Sequence, residues 1–162
     1  MTIPCQVRRV DYRNPKDAAA LVHLLDQYAQ DPMGGATPLS DDTRQRLCAD
    51  LAQRPHAVSF IAWLGEEPIG LANCFEGYST FKAQPLLNIH DMAVHPAHRG
   101  RGVGHALLAA VQQHALERGC CKLTLEVLTG NAQAQASYAR FGFVGYQLVA
   151  SAGHAVFLQK AI

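Results

Sequence analysis

The sequence has almost no net charge and no long apolar run. Its 162 residues carry a formal net charge of +1, so overall electrostatics gives no reason to expect a nucleic acid or an anionic membrane as a partner. No window approaches the roughly 18 consecutive apolar residues of a membrane-spanning helix. The N-terminus lacks a charged segment followed by an apolar one, so we expect no secretory signal.

Cysteine and histidine are present without the spacing of a disulfide framework or a metal site. The five cysteines form an odd set without a C-x-x-C pair, and the neighbours Cys120 and Cys121 are poorly placed to bridge each other or to share a zinc ion. The histidines other than His90 show no metal-ligand spacing on a shared face. We therefore expect reduced cysteines, no metal and a cytoplasmic location.

The chain has neither a linker nor an internal repeat, so residues 1–162 form a single predicted domain. Hydrophobic periodicity and turn signals predict strands and helices in alternation, hence an α/β fold with a mixed sheet of about seven strands and about four helices. The predicted strands span residues 6–10, 57–64, 69–75, 86–94, 122–128, 143–150 and 155–159. Four helices are predicted. The first begins at Pro15 and the second after Ser40. The third spans residues 103–118 and the fourth spans residues 132–140.

Alternate glycines lie between a predicted strand and a predicted helix. Gly100, Gly102 and Gly104 leave the backbone free of Cβ atoms, so several N–H groups can point into one small volume at the helix N-terminus. Arg99 and Arg101 add a local positive charge. The spacing is neither that of a P-loop nor that of a dinucleotide-binding fingerprint. It predicts a phosphate site, although a tight strand-to-helix turn would use the same glycines.

Two motifs resemble those of the GNAT superfamily of N-acetyltransferases. Residues 99–104 match every fixed position of its pattern [RQ]-x-x-G-x-[GA]. Residues 131–143 match its second signature, N-x-x-A-x-x-x-Y-x-x-x-G-F, and the separation of the two motifs fits the helix and strand between them. Residues 75–91 are similar to the diamine and thialysine acetyltransferase branch. The resemblance implies a GNAT fold and acetyl-CoA as cosubstrate.

In this family the fourth and fifth strands separate, and the pantetheine arm of acetyl-CoA lies between them. The resemblance therefore implies that backbone groups of the fourth strand bind pantetheine, that the glycine loop binds pyrophosphate, and that the short helix lines the wall. The residues implied are Met92, Ala93, Val94, Arg99, Gly100, Arg101, Gly102, Val103, Gly104, Asn131, Ala134, Ser137 and Tyr138.

Attack of a neutral amine on a thioester needs an acid for the leaving thiolate, a donor to the carbonyl oxygen and a route for the amine proton. Tyr138 matches the tyrosine of the family that is proposed as the acid, and the Met92 N–H is the expected oxygen donor. His90, where relatives often carry glutamate, Asp91 and Glu126 are alternative bases, and water is another. In a regular strand His90 and Asp91 point to opposite faces, so both face the substrate only if a bulge intervenes.

The acceptor is expected to be a small primary amine, polyamine-like or amino-acid-like, bound between the first two helices and the third and fourth strands. A protein N-terminus is the alternative acceptor, and a CoA-binding sensor without turnover is the alternative function. An exposed aromatic loop also suggests a homodimer. The acceptor-site candidates are Tyr28, Glu76, Tyr78 and His90, with Asp31, Met33 and Phe81 nearby.

Overall fold

The computed structural model describes residues 2–146, 151 and 155–162. Within them, five strands and four α-helices follow the predicted order, with a short 3-10 turn at Pro96–His98. Their bounds are β1 Gln6–Arg9, α1 Pro15–Gln30, α2 Asp41–Ala52, β2 Ala57–Leu64, β3 Glu67–Ser79, β4 Gln84–Val94, α3 Val103–Glu117, β5 Leu123–Leu125 and α4 Ala132–Phe141.

The strands form one mixed sheet in the order β1-β2-β3-β4-β5. The first four are antiparallel neighbours, and β5 joins β4 in parallel, because α3 carries the chain back along the sheet. The α/β class and the mixed sheet predicted from the sequence are confirmed.

Helices cover both faces of this sheet, which explains why β2 and the middle of β3 are almost entirely apolar. Leu71 faces a core built with α1 and α2, whereas its neighbour Ala72 faces a core built with α3. Ile61 and Ala62 divide in the same way between the two cores. We call the first side of the sheet the α1/α2 face and the second the α3 face.

Local signals account for where the helices begin and end. Asn14, Ser40 and Asn131 accept backbone N–H groups at the starts of α1, α2 and α4, as short polar N-cap side chains do. Gly119 follows α3 with φ of +69°. The bonds Cys120 N–H to Ala115 O and Gly119 N–H to Leu116 O close a Schellman motif, as expected for glycine at that position.

Among residues 2–146, 151 and 155–162 the sheet has five strands, in place of the predicted number of about seven. Regular pairing of the predicted strand 122–128 is limited to Leu123–Leu125. Residues 155–159 are not in a strand, and Phe157 and Leu158 are 70% and 84% exposed. Of the predicted strand 143–150, residues 143–146 have no strand structure, and residues 147–150 lie outside the described residues. Alternating apolar residues permit a strand, but pairing requires a neighbour, and β5 offers only three residues along this edge.

In the part of the chain that the structure describes, no helix combines the length and apolar character needed to span a bilayer. The same residues contain no group of three or more histidine, cysteine, aspartate or glutamate side chains arranged to hold a metal ion.

Candidate active site

A gap opens in the sheet where β4 separates from β5. The two strands pair only from Leu87 to Ile89, so the last part of β4 has no strand neighbour on that edge within the described residues. His95 donates its N–H to Ile69 O at 2.9 Å, on the β3 side. Because backbone groups alternate in direction along a strand, Met92 and Val94 direct theirs into the gap, whereas Ala93 directs its groups toward β3.

The glycine loop lies at the end of this gap and leads into α3. Gly100 and Gly102 have φ of +72° and +86°, a region in which glycine is favoured. Gly102 is the N-cap and has no side chain to bond the first turn. The first N–H with a helical partner is that of Ala106, which donates to Gly102 O at 3.0 Å. The preceding N–H groups of α3 therefore remain available to an anion.

Arg99 lies beside the loop but is directed away from it. Its guanidinium donates to Asp31 Oδ2 at 2.8 Å and to the Val94 carbonyl at 3.0 Å. Asp31 is the C-cap of α1, and the hydrogen bond from Arg99 lowers the pKa of its carboxyl. The contact joins the end of α1 to the end of β4. Arg101 is exposed at the loop.

The gap and the loop fit the shape and chemistry of acetyl-CoA. An extended arm with amide groups can bond to the backbone groups of Met92 and to the N–H of Val94 as a further strand would. The N–H groups at the start of α3 suit a pyrophosphate. No described atom lies within 4 Å of the position that a Cβ on Gly100 would occupy, whereas a Cβ on Gly102 would lie 3.0 Å from Thr2 Cγ2. The loop is therefore open at Gly100 and covered by the N-terminal segment at Gly102.

Helix α4 carries the second motif, and its Tyr138 packs against the core of the α3 face. Asn131 accepts the Ala134 N–H at 3.1 Å through Oδ1, which leaves its amide NH₂ to donate elsewhere. Ala134, Ser137 and Tyr138 are half-buried on the same helix. The capping role of Asn131 is readable from the sequence, because asparagine immediately before a helix is a common N-cap.

A β-bulge at His90 changes which side chains face the acceptor side. In the register of β3 and β4, Asn73 opposes Asp91 and Cys74 opposes Ile89, so His90 is an extra residue in β4. The His90 ring lies edge-on against Phe75, at 5.6 Å between centroids, and Phe75 packs on the α1/α2 face. Asp91 accepts a hydrogen bond from Asn73 at 3.0 Å on that face. The bulge therefore brings two of the predicted base candidates, His90 and Asp91, to one side.

Two tyrosines from distant helices lie near these groups. Burial raises the pKa of Tyr28, and the negative charges of Asp91 and Asp31 raise that pKa further. Burial also raises the pKa of Tyr138, to which Tyr28 adds a smaller effect. Tyr28 on α1 is thus close enough to Asp91 on β4 for the charge of Asp91 to raise its pKa. It is also close enough to Tyr138 on α4 to raise the pKa of Tyr138. Both hydroxyls therefore keep their protons to a higher pH than an ordinary tyrosine does.

Several predicted acceptor residues are not brought to this place. Glu76 forms a two-bond ion pair with Arg118 on the α3 side, with distances of 2.8 and 3.2 Å, and the guanidinium lowers the pKa of the Glu76 carboxyl. Tyr78 and Phe81 are 62% and 98% exposed near the β3–β4 hairpin. Glu126 is exposed just beyond the short β5. Glu76 was a candidate as an acid beside aromatic residues, and Glu126 as a residue on the polar face of a predicted strand, but the partners and positions of both depend on tertiary contacts.

Residues that the sequence reasoning missed lie directly behind Asp91. Asn73 and Ser59 are only 4% and 1% exposed, and Tyr12 contacts Ser59 at 2.9 Å. Their signal is a polar residue inside an apolar strand, since a buried polar side chain requires a partner. The sequence contains that signal for Asn73 and Ser59, but the partner becomes visible only in the folded chain.

Known proteins are similar to this chain in sequence and in fold. A sequence model of the Acetyltransferase (GNAT) family matches residues 18–143. Streptothricin acetyltransferase of Streptomyces lavendulae is 41% identical over 80 residues, which are 44% of this chain and 42% of that one. Thialysine N-epsilon-acetyltransferase of Caenorhabditis elegans is 27% identical over 130 residues, covering 80% and 79% of the two chains. Aminoglycoside N(6')-acetyltransferase type 1 of Stenotrophomonas maltophilia is 30% identical over 132 residues, covering 80% and 81%. The chain therefore matches less than half the length of the first relative and about four fifths of the other two.

Among solved structures, AAC(6')-Iy in complex with the bisubstrate analogue CoA-S-monomethyl-acetylneamine has a TM-score of 0.77 and 23% sequence identity, over 99% of this chain and 100% of that chain. At this identity the likeness concerns the fold. The family match covers most of the chain, so the protein belongs to the GNAT family of acetyltransferases. It is an acetyl-CoA-dependent N-acetyltransferase.

Proposed function

We propose that this protein transfers the acetyl group of acetyl-CoA to a primary amine of a small molecule. The observation that carries the proposal is the bulge at His90, which puts His90 and Asp91 on one face beside the gap between β4 and β5. The relatives named for thialysine and aminoglycosides support an amino group on a small molecule as the acceptor.

On the donor side, the Met92 and Val94 backbones bind the pantetheine arm, and the N–H groups from Arg101 to Gly104 bind the pyrophosphate. Ala93 contributes no backbone hydrogen bond to the arm, because its carbonyl is on the β3 side of the strand. This carbonyl oxygen lies 3.2 Å from the position that a Cβ on Gly70 would occupy. The Asn131 amide NH₂ donates to the arm. Arg99 acts indirectly, by fixing the Val94 carbonyl and the end of α1.

Acetyl-CoA supplies the acetyl group as a thioester, and the side chains position the amine against it. The Asp91 carboxylate binds the incoming ammonium group, and the more exposed His90 accepts the proton that the amine must lose. The Met92 N–H donates to the carbonyl oxygen. Tyr138, whose pKa is raised by burial, donates a proton to the leaving sulfur.

Direct attack in a ternary complex is favoured over an acyl-cysteine route. Cys74 is the cysteine close to Asp91, but burial raises its pKa to about 12. Its thiol therefore remains protonated at neutral pH and is a poor nucleophile. Cys74 also packs in the core of the α3 face, away from the face that carries His90.

The location and assembly of the protein are part of the proposal. All five cysteines are free, which supports a reducing, cytoplasmic setting. The exposed Tyr78 and Phe81 near the β3–β4 hairpin support a homodimer through this end of the sheet.

The proposed reaction is tested by incubating the protein with acetyl-CoA and a panel of diamines, amino acids, aminoglycosides and peptides, and measuring free thiol. We expect thiol release with small primary amines. Asp91→Asn should raise the KM for the amine about tenfold or more, because a hydrogen bond to a charged group is lost, and should leave the KM for acetyl-CoA unchanged.

Asp42→Asn is a matched control, since Asp42 lies on the exposed start of α2, and it should change neither constant. Binding of CoA without thiol release from any amine would instead favour a sensor module. Preference for peptide N-termini would favour a protein acceptor.

A further inference from the structure

Four polar side chains form a continuous hydrogen-bonded row that crosses the sheet and ends at Asp91. Tyr12 OH lies 2.9 Å from Ser59 Oγ, and Ser59 Oγ lies 2.6 Å from Asn73 Oδ1. Asn73 Nδ2 lies 3.0 Å from Asp91 Oδ2. The row passes through β2, β3 and β4 on the α1/α2 face. We call it the Tyr12–Asp91 row.

The protons of this row have only one consistent arrangement. A carboxylate oxygen accepts, so Asn73 must direct its NH₂ group toward Asp91 and its carbonyl oxygen toward Ser59. Ser59 must then donate its single proton to Asn73. Its oxygen is left to accept from Tyr12, whose hydroxyl is the first donor. Each group thus donates toward Asp91.

Burial makes this row costly unless all of its members are bonded. Ser59 and Asn73 are 1% and 4% exposed inside apolar strands, and a buried polar group without a partner is destabilising. Burial also raises the pKa of Tyr12, so its hydroxyl remains a donor across the physiological range. The row therefore holds one Asp91 oxygen in a fixed direction.

The partner of Asp91 differs from those of neighbouring acids. Asp31 pairs with Arg99 at 2.8 Å, and Asp26 pairs with Arg44 at 3.4 Å. Within the described residues, Asp91 has no arginine, lysine or histidine at ion-pair distance, and it is bonded by a neutral amide instead. Its orientation is fixed while its charge is left uncompensated. That combination suits a site that must receive a cation.

The hydrogen bond between Asn73 and Asp91 lies directly beside the bulge in β4. Asn73 and Asp91 are the register pair directly next to the extra residue His90. The side-chain bond between them therefore fixes the direction of Asp91 where the regular alternation of β4 is interrupted.

We propose that Asn73, supported by Ser59 and Tyr12, is a positioning residue that holds Asp91 Oδ2, so that the other carboxylate oxygen and the full negative charge face the acceptor ammonium group. This inference rests on the proposed function, in which Asp91 binds the amine. It adds a selection for amines that arrive protonated, because an uncompensated carboxylate discriminates against neutral acceptors.

The central variant is Asn73→Leu, which keeps the approximate shape and removes both hydrogen bonds. We expect the KM for the amine to rise about tenfold, the loss expected for a bond to a charged group, with the KM for acetyl-CoA changed by less than about twofold. Asn88→Leu is the matched control: Asn88 lies on β4, next to the strand of Asn73, and donates to Thr124 Oγ1 at 3.0 Å, outside the row. It should leave the KM for the amine within about twofold of the original value.

A double variant separates positioning from a merely structural role. If Asn73 acts through Asp91, Asn73→Leu combined with Asp91→Asn should raise the KM for the amine no more than Asp91→Asn alone. Two outcomes would overturn this inference and leave the proposed function intact. In the first, the double variant raises the KM for the amine by the product of the two single effects. In the second, folded Asn73→Leu has an unchanged KM while Asp91→Asn is impaired. An unchanged KM in Asp91→Asn would overturn the proposed role of Asp91 itself.

Tyr12→Phe repeats the test if Asn73→Leu does not fold. It removes only the outermost hydroxyl, so a smaller rise of about two- to threefold in the KM for the amine is expected. That rise should vanish in the Asp91→Asn background. A persistent rise there would contradict the proposal.

Discussion

Tyr138 carries its hydroxyl in surroundings that oppose ionisation. Burial raises its pKa from the ordinary 10.0, and the neighbouring Tyr28 has its own pKa raised by burial and by Asp91. An acid that donates to a leaving thiolate must be protonated when the reaction begins. The environment of Tyr138 therefore suits the role that the family resemblance assigns to it.

Tyr138→Phe should lower kcat about 10²-fold, the lower end of the usual contribution of a general acid, with little change in the KM for acetyl-CoA. Because the pKa of Tyr138 is raised, its proton is kept to higher pH, and kcat of the unaltered protein should fall only above about pH 10. That alkaline fall should disappear in the variant. A pH profile of kcat from 7 to 11 measures both effects.

Tyr146→Phe provides the control, because Tyr146 is 65% exposed. Its profile should coincide with that of the original protein. If Tyr138→Phe turns over at the original rate across the whole range, Tyr138 is not the acid.

At the scale of elements, the position of α3 depends on a close approach to the sheet at Gly70. A Cβ at this position would lie 3.0 Å from Val103 Cγ1 and 3.1 Å from Leu107 Cδ1, with the Ala93 carbonyl at 3.2 Å. Val103 is the first residue of α3, and its N–H belongs to the proposed pyrophosphate site. The packing of α3 against Gly70 therefore also affects the position of the N–H groups in the proposed pyrophosphate site.

Gly70→Ala should destabilise the protein by about 1–3 kcal/mol, the usual cost of overpacking a core. It should also raise the KM for acetyl-CoA, because α3 must move away from the sheet. Urea unfolding measures the first effect and steady-state kinetics the second. Gly130→Ala is the control, since no described atom lies within 4 Å of its Cβ position. If the two variants have equal free energies of unfolding, α3 can move away from the sheet without loss of stability, and the expected effect of Gly70→Ala is wrong.

For the whole molecule, buried tyrosines and paired carboxylates set opposite limits of pH stability. The pKa values of Tyr12, Tyr28 and Tyr138 are raised, chiefly by burial. Those of Asp31 and Glu76 are lowered by hydrogen bonds from Arg99 and Arg118. The tyrosines favour folding while protonated, and the carboxylates favour it while ionised.

The melting temperature should therefore be highest between about pH 5 and pH 8, because the buried Cys74, with a folded pKa of about 12, also begins to favour unfolding at about pH 8.5. Above about pH 10 the unfolded tyrosines ionise more readily than the folded ones, so stability declines as pH rises through the folded pKa values, by at most about 1.4 kcal/mol per pH unit for each tyrosine. Below about pH 4 stability declines as the paired carboxyls take up protons. Calorimetry from pH 2 to 11 measures this profile, and Tyr138→Phe should make the alkaline decline shallower. A melting temperature constant above pH 10 would contradict the assignment.

Much of the fold was readable from local sequence. Asn14, Ser40 and Gly119 mark helix ends through hydrogen bonds made within a few residues, and the apolar periods define the faces that pack. The two spaced motifs identified the family, and with it the GNAT fold and acetyl-CoA, which are confirmed. Residues 143–146 and 155–159 were predicted to be in strands and are not, because alternation does not specify a pairing partner.

Local pattern and motifs of fixed spacing were enough to predict most of the helices and strands, the family and the acetyl donor. The arrangement of the proposed acceptor side depends instead on contacts between distant parts of the chain. The extra residue at His90 exists relative to β3, Arg99 meets Asp31 across 68 positions, and Glu76 meets Arg118 across 42. The direction of Asp91 depends on Asn73 in another strand. Such contacts are set by register and by packing between distant segments, which local periodicity does not encode.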